Sequence, residues 1–198
     1  EMMQRRWETS FFRQPDTQPR WLYTTHLEGN RQADTKHHGT LDQAVLLYAA
    51  EHYPLWRAEL GREEMGAGGF GENFTLAGLS ERTACIGDIY ALGEARIQVT
   101  GPRYPCWKIE RRWGIKGLTA RVAASGRTGW YCRVLQEGLI EPDMTVYLVE
   151  RPYPAWTISL VNDFGHGRQH DLEQARELAS CPQLTPLWQK LVLKGVLS

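Results

Sequence analysis

The stretch best equipped for chemistry is Gly101-Pro102-Arg103-Tyr104-Pro105-Cys106-Trp107-Lys108, which sets one cysteine between prolines and cations. The thiolate, not the thiol, is the nucleophile and the metal ligand, and cationic neighbours favour it. Arg103, Lys108, Arg111 and Arg112 all lie within six positions of Cys106. Pro102 and Pro105 fix φ and deny the segment helical continuity. The pattern therefore predicts a stiff extended loop carrying Cys106 in an electropositive setting. Taken alone, the plainer reading is a small buried apolar side chain, the usual state of an unpaired cysteine, because single-cysteine patterns are unspecific.

Three other stretches invite a chemical reading. Lys36-His37-His38-Gly39 could bind an anion or a metal, or form a solvated loop. Adjacent histidines diverge in strand and helix alike, so the pair is a poor set of ligands for one ion. Gly66-Ala67-Gly68-Gly69-Phe70-Gly71 spells G-x-G-x-x-G. A dinucleotide fingerprint needs a strand before it and a helix after it. Here Arg62-Glu63-Glu64 precedes and the strand-like Phe74-Thr75-Leu76 follows, which predicts a flexible loop ending in the turn Gly71-Glu72-Asn73. Gly126-Arg127-Thr128-Gly129 could bring backbone N–H groups and Arg127 towards an anion, or be an ordinary turn. The four cysteines (Cys85, Cys106, Cys132, Cys181) form no C-x-x-C pair, which removes zinc-ribbon and thioredoxin-type motifs. They are too few for a disulfide scaffold and suit a reducing compartment.

The elements that must position these residues follow from pattern. Short strands are expected at 10–13 and 21–25. Over residues 42–60, Val45, Ala49, Tyr53, Trp56 and Leu60 make an apolar stripe at helical spacing, with Asp42 as N-cap and a kink at Pro54. Residues 84–92 and 95–100 read as strands about Gly93-Glu94, with Ile97 and Val99 alternating against Arg96 and Gln98. The Cys106 loop leaves the end of that second strand. Residues 109–125 carry a weak helical pattern broken by Gly114 and Gly117, and 130–135 and 144–149 read as strands. Arg151-Pro152-Tyr153-Pro154 marks a boundary, beyond which 157–164, 171–179 and 185–196 read as helices. Asp171 and Thr185 are their N-cap candidates, with Pro186 suited to the first helical position. The expected fold is mostly β: a barrel with helical insertions over 1–152 (core about 20–150) and a small three-helix domain over 153–198. Three helices of this length bury too little to stand alone and should dock on the barrel or on a partner.

Composition narrows the function. A zero net charge argues against a whole-surface field for nucleic-acid duplexes, and a hydrophobic content of 42% allows an ordinary core. No segment has the length of a membrane span or the make-up of a signal peptide, so a cytoplasmic location is expected.

With these pieces in order, the chain resembles the MOSC family, named for the C-terminal domain of molybdenum-cofactor sulfurases, and within it the stand-alone bacterial YiiM type. The resemblance is carried by Leu27-Glu28-Gly29, Lys36-His37-His38-Gly39 with Asp42 and Ala44, Phe70-Gly71-Glu72-Asn73, Gly87-Asp88, Gln98-Val99, Arg103 to Lys108, and Gly126-Arg127-Thr128-Gly129-Trp130. Their order and spacing match over about residues 20–150, and the tail is similar to the small helical domain of the same type. The resemblance implies a MOSC-type barrel whose pocket takes a molybdenum–pterin cofactor, with Cys106 the ligand to molybdenum. It implies Lys36, Gly39, Asn73, Arg103, Lys108 and Arg127 as cofactor-binding residues, and His37 and His38 beside Cys106 as catalytic ones. The chain departs from the pattern at Asn30, Thr40 and Gln43, where an acidic residue, a second glycine and a basic residue are usual.

The implied activity is reduction of N-hydroxylated compounds such as hydroxylaminopurine, a detoxifying oxygen removal at molybdenum. The sequence holds no flavin, haem, NAD or iron–sulfur motif, so a separate electron-donor protein is expected. Pyridoxal phosphate is not expected, since no lysine stands in a Schiff-base motif. The alternative is a non-catalytic cofactor-binding module or a carrier of persulfide sulfur on Cys106. The helical tail could also mediate homodimer formation.

Overall fold

The computed structural model describes residues 13–29 and 40–197. Among these, β6 (Trp130–Gln136) lies at the centre of a six-stranded sheet with order β3-β2-β6-β5-β4-β8. On one side it pairs antiparallel with β2 (Val45–Ala49), and on the other with β5 (Ala95–Pro102). β5 pairs with β4 (Ile89–Leu92) around Gly93-Glu94, the predicted hairpin, and β4 pairs with β8 (Val146–Glu150). β3 (Phe74–Leu76) runs parallel to β2, so the sheet is mixed. A separate ribbon joins β1 (Arg20–Leu22) to β7 (Gly138–Ile140). The curled sheet is a half-barrel, with a groove of about 690 Å³ beside its two outer strands, lined by Phe74, Leu76, Leu92, Val146 and Leu148 among others. None of the predicted site residues among the described ones lines that groove.

Residues 42–60 depart from the expected kinked helix. Leu41–Gln43 make a short 3-10 turn, Val45–Ala49 become β2, and the helix α1 spans only His52–Leu60. Helical spacing picked out Val45 and Ala49, the two ends of an unbroken apolar run, and all five β2 residues are buried. A strand covered on both faces reads as continuous apolar sequence, not as alternation. Pro54 produces no kink because it lies in the first turn of α1, where a missing N–H costs nothing. Asp42 caps no helix; its carboxylate pairs with Arg133 at 3.0 Å, and its carbonyl accepts from Thr100 Oγ1 at 2.6 Å. The strand predicted over 84–92 is shorter, because Gly87-Asp88 turns the chain before Ile89. The strand expected at 10–13 lies largely outside the described residues.

Helices α2 (Lys108–Trp113) and α3 (Leu118–Ser125) follow the Cys106 loop. With α1 and the glycine loop they enclose a small core of Tyr48, Tyr53, Trp56, Met65, Phe70, Ile109, Leu118 and Val122. The larger core lies between the sheet and the C-terminal helices α4 (Ile158–Gly165), α5 (Leu172–Ala179) and α6 (Pro186–Val196). Thr157 and Asp171 cap α4 and α5, accepting from the N–H groups of Leu160 and Gln174. Thr185 precedes Pro186 but makes no side-chain cap bond. Ile158, Val161, Phe164, Leu178, Trp188 and Val192 are buried in one cluster with Ile97, Val99 and Trp130 of the sheet. Each such side chain contributes about 1.5–3 kcal/mol on burial. The helices therefore dock on the chain's own sheet. No helix among the described residues is long and apolar enough to cross a membrane.

Candidate functional site

Cys106 is a free, half-buried thiol on the irregular link between β5 and α2. Its carbonyl accepts from the N–H of Ile109 at 3.2 Å and from Thr119 Oγ1 at 3.2 Å, so α2 and α3 both hold it. Upstream, the Arg103 N–H donates to Gly129 O at 3.0 Å. That bond joins the cysteine loop to Gly126-Arg127-Thr128-Gly129, two motifs far apart in sequence. Pro105 is buried, while Tyr104 and Trp107 flank the cysteine at 53% and 43% exposure. The other three cysteines are buried. Burial pushes the thiols of Cys85 and Cys132 up, which keeps both as inert apolar side chains.

Two guanidiniums, of Arg103 and Arg13, act on this region through Tyr131. Arg103 is 2% exposed. Burial lowers the Arg13 guanidinium to about 10, with Glu72 opposing that shift. Tyr131 lies within electrostatic reach of Arg103, Cys106 and Arg13; burial pushes its phenol up, and the two cations pull the other way. Tyr131 thus feels the thiol and both guanidiniums. Arg13 and Tyr131 carried no signal in the sequence: one sits in a polar leader segment, the other in an ordinary strand.

Glu72 is the acidic counterweight. It is 2% exposed and accepts from the Tyr53 hydroxyl, the N–H of Gly68 (2.8 Å), the N–H of Phe70 (3.1 Å) and Thr75 Oγ1 (2.9 Å). Burial and Glu72 together push the Tyr53 phenol far up. The glycine loop therefore does cradle an anion, but the anion is the protein's own carboxylate. It lies after a helix and before a strand, the reverse of a dinucleotide turn. Gly68 has φ +80, and a Cβ there would sit 2.7 Å from Arg13 O, so only glycine lets the Arg13 segment approach.

The remaining predicted residues have these places. Lys108 opens α2, half-buried. Asn73 pins β2: its N–H donates to Leu46 O at 2.8 Å, and its Oδ1 accepts from the Leu46 N–H at 2.9 Å. Arg127 Nη2 donates to both Glu59 oxygens at 2.8 and 2.9 Å, and its guanidinium lies 3.6 Å from the centre of the Trp56 ring. The Arg127 side chain is thus engaged with Glu59 and Trp56 of α1, whereas Arg103 and Cys106 both act on Tyr131. Lys36, His37, His38 and Gly39 lie outside the described residues. Thr40 has φ −65, an ordinary extended conformation that needs no glycine.

A curled half-barrel with a cysteine loop at the end of one strand, backed by three docked helices, defines a class of protein, and the comparisons give it a family. A model of the MOSC domain matches residues 34–147, and one of the YiiM-like 3-alpha helix domain matches 156–194. The chain belongs to the MOSC family. An uncharacterized protein YflK of Bacillus subtilis is 37% identical over 94% of this chain and 84% of its own length. A protein named "Reductase" from Gibberella moniliformis is 36% identical over 89% of this chain but only 31% of itself. The crystal structure of YiiM from Geobacillus stearothermophilus superposes with a TM-score of 0.81 at 33% identity, covering 94% of this chain and 88% of that one. MOSC domains in general are associated with molybdenum-cofactor binding, and one relative is named a reductase.

Proposed function

We propose that the chain is a molybdenum-cofactor protein that reduces N-hydroxylated compounds, with Cys106 supplying the thiolate ligand. The observation that carries the reading is a half-buried thiol on the same loop as the buried Arg103, with Tyr131 within electrostatic reach of both and of the half-buried Arg13. That donor set fits the group: soft sulfur suits molybdenum, and guanidiniums suit the anionic pterin phosphate. When bound, the cofactor supplies oxygen-atom abstraction and two-electron redox chemistry. The chain's own residues hold and shape the reaction. Arg103 and Lys108 provide positive charge on either side of the cysteine, and Arg127 is a further candidate for the phosphate. The exposed rings of Tyr104 and Trp107 offer planar faces on which an aromatic base can stack. His37 and His38 remain the candidates for proton delivery.

The overall change is R–NHOH plus two electrons and two protons giving R–NH2 and water. The sequence carries no flavin, haem or iron–sulfur motif, and in this reading the electrons are supplied by a separate donor protein. The test is turnover of hydroxylaminopurine by cofactor-loaded protein with a chemical reductant. The expected result is adenine formation that disappears in Cys106→Ser. Loaded protein that leaves the substrate unchanged, or equal turnover in the variant, overturns the reading.

A further inference from the structure

The C-terminal helices make a specific set of contacts with the strand that launches the Cys106 loop. β5 pairs with β4 only as far as Gln98 in the strand register, then continues without it to Pro102. Over those last residues the carbonyls of Thr100 and Pro102 are bonded by the helical unit. The Thr185 N–H donates to Thr100 O at 3.0 Å, and Trp188 Nε1 donates to Pro102 O at 2.6 Å. Between them, a Cβ on Gly101 would stand 3.0 Å from Trp188 Cδ1, so the strand lies directly against the indole. Two residues beyond Pro102, the Tyr104 ring stacks on His166, the C-cap residue of α4, with centroids 6.0 Å apart. His166 in turn meets Trp188 edge-on at 6.2 Å.

A second line of contacts reaches the same loop from below. Asn162 of α4, 1% exposed, donates from Nδ2 to Thr128 Oγ1 at 3.0 Å. Thr128 Oγ1 donates to Gly129 O, the acceptor of the Arg103 N–H. Residues 100, 102 and 104 are thus each held directly by Thr185, Trp188 and His166, residues of α6 or of the helix caps, and residue 103 is held through Gly129 and Thr128 by Asn162 of α4. Packing alone would not need hydrogen bonds aimed at successive groups of one loop.

We propose that the three-helix unit clamps the Cys106 loop, and that Trp188 is a positioning residue which acts on the thiol through Pro102 and Tyr104. The clamp keeps Cys106 in place relative to Arg103, which the same contacts hold. This rests on the reading of Cys106 as the working thiol. It does not depend on which chemistry that thiol serves.

The experiment is alkylation of Cys106 in the full chain produced in cells unable to make the cofactor, followed by peptide mass spectrometry. The thiolate attacks the carbon bearing iodine, the C–I bond breaks and iodide leaves. Anionic iodoacetate and neutral iodoacetamide are compared, so the rate ratio reports the positive field at the sulfur. Trp188→Phe keeps a ring but removes the donor. It should lower the iodoacetate-to-iodoacetamide ratio at Cys106 by about fivefold, the effect of roughly one ionic contact in water. Leu178→Ala loosens the same unit in α5, away from β5, and should leave the ratio at its wild-type value while lowering thermal stability. An unchanged ratio in Trp188→Phe, or an equal fall in Leu178→Ala, overturns the proposal. A cofactor-loaded protein without reductase activity would sink the functional reading but leave this measurement intact.

Discussion

At Glu72 the protein buries a carboxylate and surrounds it with donors from the glycine loop, α1 and β3. Such a group is costly unless every oxygen is satisfied, and here both oxygens are. Glu72→Gln would replace one acceptor by an NH2 facing other donors. The expected cost is about 2–4 kcal/mol of stability, measured by denaturant unfolding, because hydrogen bonds to a charge are lost and donors are left unpaired. Wild-type stability in this variant would show that the carboxylate is not the hub of the loop. The sequence made Glu72 visible only as a member of Phe70-Gly71-Glu72-Asn73, not as a buried charge. Nothing in residue type tells a solvated glutamate from one cradled by backbone N–H groups. Cys106 was legible for the opposite reason: prolines and cations next to a cysteine state its setting locally. Its partners Arg13 and Tyr131 were not, since tertiary folding alone brings them there.

Among the elements, β2 shows where periodicity misleads. Val45, Leu46, Leu47, Tyr48 and Ala49 are all buried, and any spacing can be drawn through such a run. The β-branched and aromatic content and the run's length of five were the better guides. The two assignments make different predictions. Leu47 is fully buried in the central sheet, whereas Leu55 on α1 is 51% exposed. Leu47→Ala should cost about 2–5 kcal/mol, and Leu55→Ala should change stability by about 0.5 kcal/mol or less. A kinked amphipathic helix over 42–60 would not separate the two so widely. The C-terminal helices were read nearly to the residue, because caps and prolines are local signals: Asp171 bonds an N–H three residues on and Pro186 stands in the first turn of α6, although Thr185, the other cap candidate, makes no side-chain bond and Thr157, which caps α4, was not singled out.

For the whole molecule, one sheet supports two cores. The larger fastens α4, α5 and α6 to β4, β5 and β6, and the smaller carries the helices that follow Cys106. The cysteine loop crosses from one to the other. A loop held at both ends by separate cores is a rigid place for a ligand to a metal. The claim that it holds molybdenum is tested most directly by metal content. Native protein from cells that make the cofactor, and its Cys106→Ser counterpart, would be analysed for molybdenum per chain by elemental mass spectrometry. The account predicts molybdenum stoichiometric with the wild-type chain and lost from the variant at unchanged thermal stability. Wild-type protein free of molybdenum, or a variant that retains it in full, would contradict the assignment of Cys106.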